Sequence, residues 1–383
     1  MAQPKIIYYP VGNGDNSLIT LADETNLLVD CNIRDCSSDK NIFDVKADLL
    51  TRLKKRNENP FVDVFILTHG DCDHCRGFKK HFYQGDPSKY SNNDRKEGRI
   101  IIDEMWFSPM IAEEHTNDDE DAYQQEAERR LDLHIKKSAN RDLPGNRIKI
   151  VGYDPKSKNY GALNHLRAIP GTVVNEFNGK TQSTFSVFIH APFKEHLTSA
   201  DDKNSTSIVF QARFKEYASS DFFSCLAMFG GDSDHYSWKV ILDKTKKHKN
   251  EEALKWDLFL APHHCSWTFF NDTPQSDNST PVDSALKILD YGNLGCKVIA
   301  SSKKIVNDDD NPPHYEAKQE YIKKLGSSSD FINTSVEPSE SDPQPLEFTI
   351  TANGPTKGPK KSSGGAQGSA GAGGAASTII KQG

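Results

Sequence analysis

The sequence lacks any long hydrophobic run. No stretch of about 18 apolar residues occurs in the 383-residue chain, whereas a membrane-spanning helix needs about 20. The opening residues MAQPKIIYYP have neither the basic start nor the apolar centre of a secretion signal. These absences predict a soluble, cytoplasmic protein that has no membrane partner.

Positive charge is also scarce. The chain has 47 Lys and Arg against 54 Asp and Glu, which gives a formal net charge of −7. Four lysines and no acidic residue fall in residues 355–383, so the rest of the chain carries −11. Proteins that are held on DNA by global charge alone have the opposite balance. The composition therefore argues against such binding, although it is compatible with a local basic groove.

Cysteine patterns of structural sites are missing too. The seven cysteines are an odd number, and Cys72 and Cys75 form a CxxC pair with no second pair to complete a four-sulfur zinc site. Without a secretion signal, this usage favours ordinary reduced thiols over a disulfide framework.

Strand patterns come first as hairpins and later alternate with helical patterns. This order favours an α/β fold of the αββα type over a plain parallel sheet. The predicted strands cover residues 5–9, 17–21, 26–30, 61–68, 100–107, 148–151, 185–190, 207–214, 222–229, 258–261, 297–300 and 348–351. The predicted helices cover residues 43–55, 123–137, 236–244 and 251–256.

The domain organisation is read from changes in composition. We expect one domain over residues 1–354. Residues 108–146 include an acidic run and are predicted to be a charged insertion on that domain. Residues 355–383 are rich in Gly, Ala and Ser and have almost no large apolar side chain, so this C-terminal tail is predicted to be disordered.

The strongest chemical signal follows the predicted strand 61–68. His69, Asp71, Asp73 and His74 place two imidazoles and two carboxylates within six residues. Carboxylates buried side by side repel one another and lose water, a cost that divalent cations remove. Imidazole nitrogen and carboxylate oxygen are suitable ligands for Zn²⁺ or Mn²⁺. The pattern therefore predicts a site for a pair of metal ions.

Three other predicted strands also end in polar side chains. Asp30 ends the strand of residues 26–30, and Asp232 follows a strand and two glycines that allow a tight turn. His263 and His264 follow the strand of residues 258–261. Each signal is weak alone, but their order along one chain is specific.

With these motifs, the chain resembles the metallo-β-lactamase fold superfamily, and within it the soluble hydrolase domain of ComEC competence proteins and its stand-alone relatives. The resemblance covers about residues 5–80 and 185–320 and implies a four-layer αββα metallo-β-lactamase sandwich. The segments that carry it are 11–19 (similar to VGxGDSxLI), 67–77 (HxDxDH), 204–209 (similar to NxxSLV), 231–232 (GD), 262–266 (PHHGS, with Cys265 in place of Gly) and 311–314 (a late loop with a histidine).

The resemblance implies two bound divalent metal ions, Zn²⁺ or Mn²⁺. His69 and Asp71 would hold the first ion, and Asp73 and His74 would hold the second. Asp232 would bridge both ions, because a carboxylate has two oxygens to share.

The paired histidines have separate implied roles. His264 would complete the second metal's ligands, and His263 would either lie near the substrate phosphate or be the ligand in place of His264. Asp73 and His263 are the implied catalytic residues.

Further residues would surround the ligands. Asp15 and Asp30 would accept hydrogen bonds that orient the ligand imidazoles, and Asn204 would lie beside them. His314 would either face the substrate or have no role.

The chain departs from the family pattern in two respects. The usual third-motif histidine is absent: Asn204 or Ser205 falls at its position, and His190 is a more distant candidate. The first metal is therefore expected to be weakly held. The oxygen ligand that Asp71 supplies tilts the site toward Mn²⁺.

The implied activity is hydrolysis of phosphodiester bonds, in DNA or RNA, by a hydroxide that bridges two metals about 4 Å apart. Similar stand-alone proteins resemble components of bacterial antiviral defence systems that work with an ATPase or protease partner, so such a partner is implied for this chain. One alternative is a small-phosphoester or cyclic-nucleotide phosphodiesterase with residues 108–146 as a lid, and another is a non-catalytic metal-binding subunit of a larger complex. The best basic cluster for nucleic acid is Lys239, Lys244, Lys246, Lys247 and Lys249.

Overall fold

Residues 2–37, 42–111, 117–197 and 203–359 are described in the computed structural model of the protein. Its strands are β1 (Lys5–Tyr8), β2 (Ser17–Thr20), β3 (Asn26–Val29), β4 (Lys55–Arg56), β5 (Asn59–Ile66), β6 (Ile101–Phe107), β7 (Arg147–Val151), β8 (Arg167–Ala168), β9 (Val173–Val174), β10 (Glu176–Phe177), β11 (Lys180–Thr181), β12 (Phe185–Ala191), β13 (Val209–Phe214), β14 (Cys225–Phe229), β15 (Trp256–Leu260), β16 (Gly292–Ala300), β17 (Phe331–Asn333), β18 (Leu346–Thr351) and β19 (Gly354–Lys357). Its α-helical segments are α1 (Val45–Arg52), α2 (Cys72–Cys75), α3 (Phe78–His81), α4 (Asn92–Glu97), α5 (Asp118–Ile135), α6 (His235–Lys247), α7 (Pro262–Cys265), α8 (Asp283–Leu289) and α9 (Tyr315–Leu325).

Most strands belong to two mixed sheets. Within the described ranges, ten strands form the first sheet in the order β19-β18-β1-β2-β3-β5-β6-β7-β8, with β4 attached to β5, and seven form the second in the order β17-β16-β15-β14-β13-β12-β9. The strands from β3 to β8 along that first order pair in parallel. In the second sheet, β14 to β17 pair in parallel. The carboxyl ends of β3 and β5, and those of β14 and β15, therefore meet at common sheet edges.

One cluster of buried apolar side chains lies between the two sheets. Ile6 and Val64 from the first sheet share it with Phe210 and Leu258 from the second. All four side chains are fully buried. The sheets therefore pack against each other through one apolar face of each.

Helices cover the other face of each sheet. Leu49 of α1 and Tyr123 of α5 belong to a cluster with Phe65 of β5. Trp238 of α6 belongs to a different cluster with Phe259 of β15, which also includes buried side chains of α8 and α9. The predicted α/β class is confirmed, since both sheets are mixed and both carry helices.

One predicted helix is wrong. The segment predicted as a helix over residues 251–256 forms a single 3₁₀ turn, Glu251–Leu254, and Trp256 instead begins β15. The side chain of Trp256 is buried, and its indole nitrogen donates to the carbonyl of Ile288. Tertiary packing therefore overrides the local helical pattern here.

The predicted insertion and the predicted C-terminal tail each include residues that pack on the domain or pair with its sheet. In the predicted insertion, α5 buries Tyr123, Ala127 and Leu131 in the cluster of the first sheet, while residues 112–116 lie outside the described residues. The predicted start of the tail at Pro355 is too early, because β19 pairs with β18 over residues 354–357. Residues 360–383 lie outside the described residues.

No helix in the described part of the chain combines the length and the apolar character needed to cross a membrane.

Candidate metal centre

The centre lies where four strand ends from the two sheets meet. β3 leads into Asp30 and β5 into the loop that carries His69, while β14 leads into Asp232 and β15 into His264. The backbone N–H of Ile208, directly before β13 of the second sheet, donates to the carbonyl of Thr68 over 2.8 Å, which links the two sheets at this point. The fold thus brings together side chains that are far apart in sequence.

Asp30 orients His74. The carboxylate of Asp30 accepts hydrogen bonds from the backbone N–H of Thr68 (2.7 Å) and from its hydroxyl (2.7 Å). Its Oδ2 also lies 2.9 Å from Nδ1 of His74. With Nδ1 held by Asp30, the other ring nitrogen, Nε2, faces the centre. Asp30 thus fixes the orientation of a candidate ligand imidazole, and its role at a metal site stays a prediction.

Four candidate ligand atoms, that nitrogen among them, converge at the centre. His74 Nε2 lies 2.9 Å from Asp232 Oδ1 and 3.2 Å from His264 Nε2. His264 Nε2 in turn lies 3.2 Å from Asp73 Oδ2 and 3.4 Å from Asp232 Oδ1. Ligand atoms bonded at about 2.1 Å in a tetrahedral site are separated by about 3.4 Å. The spacing therefore fits a single divalent cation at the centre of these atoms.

A turn at α7 separates the two histidines. His263 and His264 both have positive φ values, 48° and 53°, and the backbone N–H of His263 donates to the carbonyl of Gly231 over 3.0 Å. His264 approaches Oδ1 of Asp232, whereas His263 Nε2 lies 3.6 Å from Oδ2 of the same carboxylate. Of the two histidines, His264 is the one that joins His74, and Asp15 Oδ1 lies 3.6 Å from the other ring nitrogen of His264.

A second group of atoms lies on the opposite side of Asp232. His69 Nε2 is 3.1 Å from Asp71 Oδ2 and 4.0 Å from Asp232 Oδ2. His69 is buried, and its Nδ1 has no hydrogen-bond partner. Asp232 thus presents Oδ1 to one group and Oδ2 to the other, and its bridging role stays a prediction.

The electrostatics of the metal-free site show how strongly these groups interact. Burial opposes protonation of His264, but the nearby carboxylates, with Asp232 foremost, outweigh it and raise the pKa of His264 to about 10. Burial is likewise outweighed by Asp232 and Asp30, which raise the pKa of His74 well above its usual range. Burial also opposes ionisation of Asp232, yet the surrounding imidazoles hold its pKa well below the usual range. The site therefore holds protons where cations would otherwise balance the carboxylates.

The donor set fits metal ions. Among the described residues, two buried groups have ligand atoms close enough to hold an ion: Asp15, His74 and His264 form one, and His69, His74 and Asp232 form the other. Asp232 Oδ1 is buried between His74 Nε2 (2.9 Å) and His264 Nε2 (3.4 Å). A buried carboxylate needs positive charge to balance it, which bound cations would supply.

Several predicted residues lie apart from these contacts. His314 packs its ring 5.6 Å from that of Trp267, and its Nδ1 faces Glu316 over 3.5 Å. Asn204 lies in the 3₁₀ turn before β13, and its carbonyl accepts from the backbone N–H of Ser207. His190 donates from Nε2 to the carbonyl of Ala253 on the helix-covered face of the second sheet.

The basic cluster is also separate from the centre. It begins on α6, which starts three residues after Asp232, so Lys244 lies about 13 Å along the helix axis from the first residue of α6, and Lys246 and Lys247 lie farther along it. Lys239 pairs with Asp243 over 3.1 Å, and Lys244 pairs with Glu195. The cluster is therefore partly neutralised at a distance from the candidate ligands.

Sequence reasoning missed residues that build the site through the backbone. The hydroxyl of Ser207 accepts from the backbone N–H of Asp232 over 3.2 Å. The carbonyl of Asp73 accepts from the backbone N–H of Asp15 over 3.1 Å. A Cβ atom at Gly14 would lie 2.5 Å from that same carbonyl. The segment similar to NxxSLV and the opening GNGD segment are the signals that could have located these contacts.

A comparison with known protein families found no matching family, and a comparison with functionally characterised proteins found no match.

Proposed function

We propose that the protein is a binuclear metallohydrolase of the metallo-β-lactamase fold superfamily that cleaves phosphodiester bonds, most directly those of DNA or RNA. The observation that carries this proposal is the convergence of His74 Nε2, His264 Nε2, Asp73 Oδ2 and Asp232 Oδ1, with each measured separation at or below 3.4 Å. The proposal includes the four-layer αββα sandwich, which the shared cluster between the sheets and the helices on their outer faces support.

The chain supplies ligands for two sites that share Asp232. His69 and Asp71 would hold one ion, and Asp73, His74 and His264 would hold the other, with Asp232 between them. Divalent ions held here would lower the pKa of a water molecule and neutralise charge on a phosphoryl group.

The residues around the ligands prepare them for this task. Asp30 keeps His74 in one orientation through Nδ1, and Asp15 lies beside Nδ1 of His264. On loading, His74 and His264 would give up the protons that the carboxylates hold on them in the metal-free protein. The chemistry would then take place in a site whose ligands are already oriented.

The exposed side of the centre indicates where a substrate would enter. The side chains of Asp71, Asp73 and His263 are 39%, 30% and 20% exposed, whereas those of His74 and Asp232 are almost completely buried. A phosphodiester would therefore approach from the side of α2 and α7. We assign no role to the distant lysine cluster in this approach.

The test is a metal analysis followed by a hydrolysis assay. Purified protein is analysed by mass spectrometry for divalent metals, and is then incubated with single-stranded DNA, RNA, a cyclic nucleotide and a phosphate monoester, with Mn²⁺ or with Zn²⁺. We expect metal-dependent cleavage of a phosphodiester, abolished by chelator and by Asp232→Asn. Asp243→Asn, on the exposed surface of α6, serves as the matched control and should retain activity. A protein that binds no divalent metal, or that hydrolyses none of the diesters, would contradict the proposal.

A further inference from the structure

A chain of hydrogen bonds fixes the proton on His263. Its far end is Asn311, whose Oδ1 accepts from the backbone N–H of Trp267 over 2.9 Å and from the hydroxyl of Ser266 over 2.7 Å. A backbone N–H can only donate, so the Asn311 atom that it meets must be the oxygen. The hydroxyl of Ser266 must therefore also donate to that oxygen.

The direction of each remaining bond follows from that start. A hydroxyl has one hydrogen, and Ser266 has already used its own, so Ser266 Oγ accepts from the hydroxyl of Thr268 over 2.9 Å. Thr268 has then used its hydrogen as well, and its Oγ1 accepts from His263 Nδ1 over 3.2 Å. His263 consequently carries its hydrogen on Nδ1 and has a lone pair on Nε2.

That lone pair faces the group of atoms around His69. His263 Nε2 is 3.6 Å from Asp232 Oδ2, which is too long for a hydrogen bond. The same oxygen is 4.0 Å from His69 Nε2. Atoms on opposite sides of an ion with bonds of about 2.1 Å are separated by up to about 4.2 Å. Both separations therefore suit ligands of one cation.

We propose that His263 is a ligand of the first metal and supplies the nitrogen that the absent third-motif histidine would have given. This assignment rests on the proposed binuclear function. His263 and His264 then serve different ions, one on each oxygen of Asp232. Thr268, Ser266 and Asn311 are positioning residues, because they set which nitrogen of His263 carries the lone pair.

The backbone around α7 holds His263 in this position. Its N–H donates to the carbonyl of Gly231 and its own carbonyl accepts from the N–H of Ser266 over 2.9 Å. Gly231 directly precedes Asp232, so the imidazole and the bridging carboxylate are fixed to the same short stretch of main chain.

The test uses a variant that removes Nε2 and little else. In His263→Asn the side-chain amide can still donate to Thr268, and Asn tolerates the positive φ of this position. Thr268→Val removes the acceptor for Nδ1, and Thr268→Ser restores it. Bound metal per chain is measured by mass spectrometry after dialysis against buffered Zn²⁺ and buffered Mn²⁺, and affinity is measured by competition with a chelating dye.

We expect two ions per wild-type chain and one ion in His263→Asn, with the affinity of the remaining site unchanged. Thr268→Val should weaken one site by about 10–100-fold, and Thr268→Ser should bind as the wild type does. Thermal melting in chelator identifies any variant that fails to fold. If His263→Asn fails to fold, the comparison of Thr268→Val with Thr268→Ser tests the assignment instead.

Other outcomes separate this inference from the proposed function. Two ions bound to His263→Asn with wild-type affinities would overturn the role of His263 and leave the binuclear site standing. Loss of both ions from a folded His263→Asn would also overturn this role, because His263 is assigned to the first ion alone and His264 to the second. A wild-type protein that binds no metal would instead refute the proposed function.

Discussion

At the residue scale, the metal-free state of the centre depends on pairs between imidazoles and carboxylates. Repulsion among Asp71, Asp73 and Asp232 alone would make Asp73→Asn melt at or above the wild type in chelator. The structure predicts the opposite change in melting temperature, because the Asp73 carboxylate lies 3.2 Å from His264 Nε2 and is attracted to it. Although burial opposes ionisation of Asp73, His264 and His74 hold its pKa below the usual range.

We therefore expect Asp73→Asn to melt a few degrees below the wild type at pH 7, both in chelator and with saturating metal. Activity should fall by about 100-fold or more, because a neutral amide is a poor ligand and cannot balance the cation. Thermal melting in each condition and a phosphodiesterase assay check this, with Asp243→Asn as control. Wild-type activity in Asp73→Asn would contradict the assigned role.

The pH dependence of the metal-free protein follows from His264. Its pKa in the folded protein is about 10, above its value of about 6.5 in the unfolded chain. The folded state therefore binds the proton more tightly, and this stabilisation is complete below about pH 6.5 and is lost as the pH rises toward 10.

Melting temperatures in chelator from pH 6 to pH 10 check this expectation. The wild type should lose stability relative to His264→Gln across that range, since the variant lacks the titrating imidazole. A difference that stays constant or grows with pH would show that the carboxylates do not hold a proton on His264.

Sequence reasoning worked at this scale where the signal is local. The four candidate ligands between His69 and His74 lie within six residues, so spacing alone indicated them, and the structure places His74, Asp73 and Asp232 close together. The position of His263 could not be predicted, because the hydrogen bonds that orient it end at Asn311, 45 residues beyond Ser266 in the chain. Only the fold brings these residues together.

At the element scale, the loop between β1 and β2 supports the segment that carries the candidate ligand Asp73. Gly14 has a φ of 130°, and a Cβ there would lie 1.9 Å from Asn32 Nδ2 and 2.5 Å from the carbonyl of Asp73. Any side chain at this position would push on the backbone that carries Asp73.

Gly14→Ala should therefore weaken metal binding and lower the melting temperature. A residue with an unfavourable backbone conformation costs about 1–3 kcal/mol, and the steric overlap adds to this. Gly171→Ala is the matched control, because Gly171 also has a positive φ but has open space around it. Equal metal affinity in the two variants, measured by dye competition, would exclude a specific role for the loop.

Strands were predicted more completely than helices. Short, largely apolar runs placed strands such as β5 and β6 within two residues of their positions. Helices α8 and α9 were not predicted: α8 has only seven residues, and α9 buries only Ala317 and Tyr321 fully. A short apolar stripe of this kind gives little periodic signal.

At the scale of the whole molecule, the chain beyond residue 354 has two parts. β19 pairs with β18, and Lys357 contacts Glu337 over 2.9 Å. Truncation after Pro359 should leave the melting temperature and hydrolysis unchanged, because the sequence beyond it has almost no apolar side chain to bury. Truncation after Asn353 should lower the melting temperature, since it leaves the β18 edge unpaired. Equal melting temperatures for the two truncations would show that β19 adds no stability.

The αββα pattern predicts that two sheets pack together, but it does not predict which strands and residues are in contact. Strand order, and the link from Ile208 to Thr68 that joins the sheets at the centre, depend on contacts between distant parts of the chain. Those contacts create the site, because His74 follows β5 of the first sheet, His264 follows β15 of the second, and the two residues are 190 positions apart.

The most direct measurement is X-ray diffraction from crystals grown with Mn²⁺ or Zn²⁺, recorded on both sides of the metal's absorption edge. We expect an anomalous peak within about 2.2 Å of Nε2 of His74, Nε2 of His264 and the Asp232 carboxylate, and a second on the side of His69. Crystals with saturating metal and no anomalous peak between His74 and His264 would contradict the proposal that this cluster is a metal centre.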